Sequence, residues 1–148
     1  MMLTSPEFAN NEFIPREFTC EGDNVNPALI IEGIPGNAKT MALIVDDPDA
    51  PAGTWVHWII CNMPVMPRID KNNSPGKPGV NSYGSRDYKG PCPPPGALHH
   101  YYFKIYCLDS ALNVRPGFNK AELEKAMRGH ILDKAELVGL YKKEAGSL

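Results

Sequence analysis

Asp47-Pro48-Asp49-Ala50-Pro51 sets two carboxylates two residues apart where the apolar run Thr40-Met41-Ala42-Leu43-Ile44-Val45 ends. The prolines fix φ and stiffen the turn, so both carboxylates gain defined directions. Asp and Pro are equally ordinary components of a solvated strand-end turn. His57 lies within Trp55–Asn62. Strict alternation would put Trp55, His57, Ile59 and Cys61 on one face and Val56, Trp58, Ile60 and Asn62 on the other. A single strand histidine is more often a hydrogen-bonded core residue than a ligand. His99 and Tyr101 share a face because residues two apart in a strand point the same way, and His100 points opposite. In Gly90-Pro91-Cys92-Pro93-Pro94-Pro95-Gly96, every proline lacks an N–H, so Cys92 holds the one backbone donor between Pro91 and Pro95. Such a loop loses little entropy on binding and can offer that N–H to an anion. It can also serve as a plain connection or a polyproline segment that docks a partner.

Three chemistries compete for these groups. A metal hydrolase would use His57, His99, Asp47 and Asp49 as ligands, but there is no helical H-E-x-x-H motif. A Ser-His-Asp or Cys-His enzyme would want a nucleophile elbow of the G-x-S-x-G kind, and none is present. A small anion pocket needs only hydrogen-bond donors, an imidazole and a rigid wall, all of which the sequence supplies.

Strands must position these side chains. Ala28–Ile31, Thr40–Val45, Trp55–Asn62 and Tyr101–Leu108 read as strands. The continuous apolarity of the second predicts cover on both faces. Residues 63 to 98 hold eight prolines and five glycines and show no strong strand pattern. A connection of that length is functional or disordered more often than it is structural filler. Asn119 and Glu122 form a capping box that predicts a helix, and Asp133 to about Lys143, with Leu137, Leu140 and Tyr141, reads as a second short one. Strands first and helices last predict an antiparallel sheet protein, and neither a P-loop nor a dinucleotide-binding loop is present.

The 148 residues fit one domain, 1–148, with 43% apolar and 22% charged residues and a net charge of −2. That charge lacks the basic footprint of a nucleic-acid binder. No apolar run approaches the ~20 residues that span a bilayer. The start Met1-Met2-Leu3-Thr4-Ser5-Pro6-Glu7 does not read as a secretory signal. Cys20, Cys61, Cys92 and Cys107 are scattered singly, which predicts reduced thiols in a cytoplasmic protein.

The spaced motifs Asp47-Pro48-Asp49-Ala50-Pro51, Trp55-Val56-His57-Trp58, Gly90-Pro91-Cys92-Pro93-Pro94 and Leu98-His99-His100-Tyr101 resemble the phosphatidylethanolamine-binding protein family, which includes the Raf kinase inhibitor proteins. Phe18-Thr19-Cys20-Glu21-Gly22-Asp23 resembles its bacterial and archaeal branch. The resemblance implies a mainly β fold: a large antiparallel sheet packed on a smaller one, with short C-terminal helices. It implies a non-catalytic pocket for phosphate, other small anions or a phospholipid head group, formed by Asp47, Asp49, Pro51, His57, Gly90, Cys92, His99 and Tyr101. Tyr141 falls near a tyrosine that closes the pocket in mammalian members, and His100 stands where an arginine is often found. A cis peptide is expected near Pro51. No cofactor or metal is called for. Candidate partners are a protein kinase, a protease and a second copy of the chain. The competing reading is a phosphoester hydrolase using the same His/Asp cluster. An aspartate beside His57 would favour the imidazolium, so anion affinity would fall as pH rises through ~6.5.

Overall fold

The computed structural model describes residues 1–144. Its strands are β1 (Met2–Thr4), β2 (Glu12–Phe13), β3 (Leu29–Glu32), β4 (Thr40–Asp47), β5 (Trp55–Met63), β6 (Arg68–Ile69), β7 (Lys77–Pro78), β8 (Leu98–Leu108) and β9 (Ile131–Lys142). A 3-10 turn at Arg16–Phe18 and one helix, α1 (Lys120–Met127), complete the elements. The large sheet runs β2-β9-β8-β4-β5-β7 and the small one β1-β3-β6. All pairings are antiparallel except the short β2–β9 contact.

The apolar run of β4 is covered on both sides, as its composition requires. Leu43 and Val45 face Leu29, Ile31 and Ile69 of the small sheet, together with Trp58, Phe103 and Ile105. Ala42 and Ile44 face the opposite way, against Phe118, Leu123 and Met127 beneath α1. The helix starts at Asn119, whose side chain accepts from the Glu122 N–H while Glu122 reaches back to the Asn119 N–H.

Three expectations are corrected. The second C-terminal helix is instead β9, paired with β8 along its whole length. Leu137 and Tyr141 fit a helical stripe and an alternating strand equally well, and long-range pairing decides: without β9, β8 would present an eleven-residue open edge. Gly139 packs so closely that a Cβ there would overlap Ile14, which ties this position to the strand. The four cysteines are not all reduced. Cys20 and Cys92 form a disulfide, while Cys61 and Cys107 are free and buried. Single scattering in sequence says nothing about approach in space, and the fold brings these two together across 72 residues. No peptide bond among the described residues is cis, so Ala50–Pro51 is trans. The Gly53 N–H donates to the Ala50 carbonyl at 3.1 Å, closing a turn with Pro51 at the position where a trans proline fits.

Strand β5 also departs from strict alternation. Val45 pairs with Trp58 but Asp46 pairs with Val56, leaving His57 as an extra residue in a β-bulge. His57 and Trp58 therefore both face the small-sheet side. A second irregularity, where Met41 pairs with Met63 and Leu43 with Ile60, is accompanied by Asn62 at φ +49°. The first bulge re-aims a histidine toward the end of the sheet where β4 finishes and β5 and β8 begin.

A candidate anion pocket at the sheet end

Asp47, His57, His99 and Tyr101 converge at that end around a cavity of about 390 Å³. Tyr101 lies between the histidines, its ring centroid 5.3 Å from that of His57 and 6.5 Å from that of His99. Its side chain is 1% exposed, and its hydroxyl has no hydrogen-bond partner, the single such buried side-chain atom among the described residues. A buried hydroxyl without an acceptor is costly and calls for a ligand or water to complete it.

Both histidines are held through Nδ1. His57 Nδ1 lies 2.6 Å from the Lys89 carbonyl oxygen, which can only accept, so this nitrogen carries the proton. The Lys89 N–H donates back to the His57 carbonyl at 3.1 Å. His99 Nδ1 lies 2.6 Å from Asp47 Oδ2, and Asp47 Oδ1 accepts the Asp49 N–H at 2.8 Å. One Asp47 oxygen thus orients His99 while the other holds the turn that follows β4. In each ring Nε2 remains as the second functional nitrogen.

The walls are apolar. Trp55 packs edge-on against Tyr83 at 5.3 Å, and Ala50, Pro51, Ala52, Cys92, Pro93 and Pro94 complete the lining. Tyr83 is placed by the buried Asn81, whose Oδ1 accepts from the Tyr83 and Ser85 N–H groups and whose Nδ2 donates to the Asp87 carbonyl. Asn26 does similar work in the first half of the 63–98 connection. Its Nδ2 donates to the Asp70 carbonyl and its Oδ1 accepts from the Asn73 N–H. Buried amides thus order a segment that has little regular structure of its own.

The charge expectation at His57 is reversed. Burial lowers its pKa below the ordinary 6.5, opposed by the Lys89 carbonyl first and by Asp47 next. The neighbouring carboxylate is present, but withdrawal from water outweighs it. Burial pushes the Tyr101 phenol far above its usual range, so it remains an O–H donor.

Of the eight expected pocket residues, Asp47, Pro51, His57, Cys92, His99 and Tyr101 line the cavity. Asp49 and Gly90 stand behind it. Asp49 Oδ2 accepts the His100 N–H and pairs with His100 Nδ1 at 2.7 Å, pinning the start of β8. The Gly90 N–H donates to Asn24 Oδ1 at 2.7 Å, and a Cβ at Gly90 would overlap the Phe18 carbonyl. Tyr141 is outside the lining, and its hydroxyl bonds Glu21. Sequence reasoning missed Trp55, Tyr83 and Cys20. The first two carried a signal, as aromatics flanking a histidine and inside a Gly-rich loop, but only the fold brings Tyr83 onto Trp55. Among the described residues, no three His, Cys, Asp or Glu side chains are grouped as a metal ion requires, and no helix is long and apolar enough to cross a membrane.

Known proteins share this arrangement of sheets. A crystal structure of a phosphatidylethanolamine-binding protein homologue from Chlamydia trachomatis superposes with a TM-score of 0.92 at 39% identity, covering 97% of each chain. YbcL of E. coli, described as a new member of the mammalian PEBP family, gives a TM-score of 0.89 at 27% identity over 97% of this chain and 98% of its own. A UPF0098 protein of Pyrococcus abyssi is 52% identical over 154 residues, covering 97% of this chain and 86% of its own. The sequence pattern of phosphatidylethanolamine-binding proteins matches residues 4–142. With that match running from the end of β1 to the end of β9, the chain belongs to the phosphatidylethanolamine-binding protein family.

Proposed function

We propose that the cavity binds a small anion or the phosphoryl group of a phosphorylated ligand, such as a phospholipid head group, and that the protein acts by binding, not by turnover. Family membership supports a general binding role. The observation that carries the finer reading is the Tyr101 hydroxyl, buried without an acceptor between two imidazoles. A phosphoryl oxygen supplies the acceptor it lacks. With Nδ1 of each histidine engaged, each Nε2 meets the ligand as an acceptor when neutral and as a donor when protonated. A phosphate monoanion, carrying its own proton, suits a neutral His57. A dianion would draw a proton onto the ring. The apolar walls from Trp55, Tyr83 and Pro94 suit a ligand whose phosphoryl group is attached to a less polar body.

The wider proposal is a cytoplasmic protein that modulates a partner kinase or protease through this ligand-dependent surface. The disulfide is compatible with that compartment, because intracellular proteins of hyperthermophiles carry disulfides. Pyrococcus, the source of the 52%-identical relative, is a thermophile genus.

Calorimetric titration with O-phosphoethanolamine and inorganic phosphate is the test, run beside a phosphoester hydrolysis panel. Saturable stoichiometric heat without turnover is the expected outcome, with binding weakened in His57→Ala and His99→Ala. Turnover abolished in His57→Ala would replace the proposal with a hydrolase. Absence of both heat and turnover would leave the histidines as structural groups.

A further inference from the structure

Cys92, Pro93 and Pro94 form one wall of the cavity, and the segment that carries them, residues 91 to 95, is poorly anchored by its own backbone. Four of its five residues are prolines without an N–H. Its backbone bonds to the rest of the fold are few: the Pro91 carbonyl accepts the Cys20 N–H at 3.1 Å, and beyond it the Gly96 N–H donates to the Lys143 carbonyl at 2.7 Å. The Pro94 carbonyl accepts only from nearby Ala97. The Cys20–Cys92 disulfide is the covalent tie across this gap, and Cys92 itself lines the cavity.

The other end of the tie is firmly held. Phe18 and Thr19 are buried, the Thr19 hydroxyl donates to the Arg16 carbonyl at 2.9 Å, and the buried Tyr88 hydroxyl donates to the Phe18 carbonyl at 2.7 Å. Cys20 therefore projects from a fixed post, and Cys92 from a stiff but weakly bonded wall. Both cystine residues are solvent-exposed, unlike the buried free thiols Cys61 and Cys107, so a reductant reaches this bond without opening the core.

We propose that the Cys20–Cys92 disulfide is a redox latch on the cavity, holding the proline wall in place when oxidised and releasing it when a dithiol reduces it. The proposal rests on the binding reading above and adds its regulation. In the exchange, a thiolate of the dithiol attacks one cystine sulfur, forming a mixed disulfide and expelling the other as a thiolate. The second thiol of the reductant, as its thiolate, then displaces the first cysteine. Two electrons pass to the protein, the two expelled thiolates take up the two protons the dithiol loses, and the reductant leaves as its cyclic disulfide. Release costs affinity because the wall, though stiff within itself, must then be docked in place as a unit at the moment of binding.

The test titrates O-phosphoethanolamine into oxidised protein, into protein reduced with dithiothreitol, and into Cys20→Ser/Cys92→Ser, with amide hydrogen exchange measured on the same three without ligand. We expect affinity to fall by about tenfold or more in the reduced and double-variant proteins. Exchange should quicken at Cys92, Gly96 and Ala97 but remain unchanged along β8. Dithiothreitol should not affect the double variant further. Equal affinity in all three would overturn the latch and leave the binding reading intact. If the oxidised protein binds nothing, the binding reading fails, and exchange decides the latch: quickening confined to 92–97 supports it, and no change overturns it. If reduction speeds exchange throughout the sheet, the bond is a global staple and the latch is overturned. Cys20→Ser alone, which leaves the Cys92 thiol in the wall, should reproduce the reduced state and guards against an artefact of the double change.

Discussion

Strands β4, β5 and β8 run side by side through two very different environments. In the middle of the sheet they contribute Leu43, Ile60, Phe103 and Ile105, all fully buried in a dry layer against the small sheet. At one end the same three strands contribute Asp47, His57, His99 and Tyr101, equally buried but around a cavity. The middle is held by backbone pairing and by the apolar packing of these side chains. The end is held by a bulge at His57, by hydrogen bonds to the Lys89 backbone and to Asp47, and by a disulfide-tied wall. Burial is thus no guide to role here. Apolar burial at the centre supplies stability, and polar burial at the end draws on that stability to hold groups in a costly state.

Substitutions should separate the two regions, and the largest effect belongs to the centre. Leu43→Ala should cost about 2–5 kcal/mol of stability, because it opens a void between sheets that cannot collapse. Phosphate binding by the folded fraction should survive, as melting temperature and titration on the same sample would reveal. Loss of binding with the fold intact would mean that the two regions are coupled. Next comes the junction. Gly90→Ala forces a methyl group into the Phe18 carbonyl, an overpacking strain of about 1–3 kcal/mol. The same change displaces the Lys89 segment that holds His57, so binding and stability should fall together. Normal binding by this variant would show that the wall is set independently of the loop beneath it.

How much of this was readable beforehand divides along the same line. The central strands were legible because a continuous apolar run such as Thr40–Val45 has few other uses, and the Asn119 capping box identified α1 from local chemistry alone. Strand β9 was not legible. Its Leu137 and Tyr141 satisfy both periods, Leu140 adds to the helical one, and what decides between them is the open edge of β8, a long-range fact. At the site, residue identity was more legible than direction. His57 could be picked out, and alternation rightly kept Trp55 with it, but it also gave it Ile59 and Cys61, which face the helix side, because the bulge is recorded in register and not in composition. The Cys20–Cys92 bond and the amide scaffolds of Asn26 and Asn81 are likewise products of approach in space. The resemblance to a known family supplied the site residues that spacing alone left open.

Tyr101→Phe sharpens the comparison from the other side, since it should raise stability while lowering affinity. Removing a buried hydroxyl that has no partner relieves a desolvation cost, and the ring keeps its place between the histidines. A gain of about 1 kcal/mol in the ligand-free protein is expected. The same change deletes the unpartnered donor of a cavity-lining residue, so O-phosphoethanolamine should bind about tenfold more weakly. Denaturant melts without ligand and titrations with it measure the two signs separately. A variant that is destabilised and still binds normally would show that the hydroxyl is satisfied by water and plays no part in recognition.

The smallest expected effect is a pH dependence whose sign follows from His57. Its folded-state pKa is lowered, so between that value and the ordinary 6.5 the unfolded chain carries a proton there that the folded chain does not. Stability therefore rises with pH through this window and is lost as pH falls through the folded pKa. Unliganded protein should become less stable on acidification from pH 7 to 5, and His57→Gln should lose that share of the slope. An anion in the cavity inverts the balance, because it favours the imidazolium and draws a proton in as it binds. Affinity should then increase on acidification below pH 6.5, with proton uptake visible as a buffer-dependent heat in calorimetry. Acid should thus weaken the empty fold while strengthening its hold on the ligand. Buffer-independent heats and a flat affinity from pH 5 to 8 would mean that the ligand arrives with its own proton, and that His57 meets it as a neutral acceptor throughout.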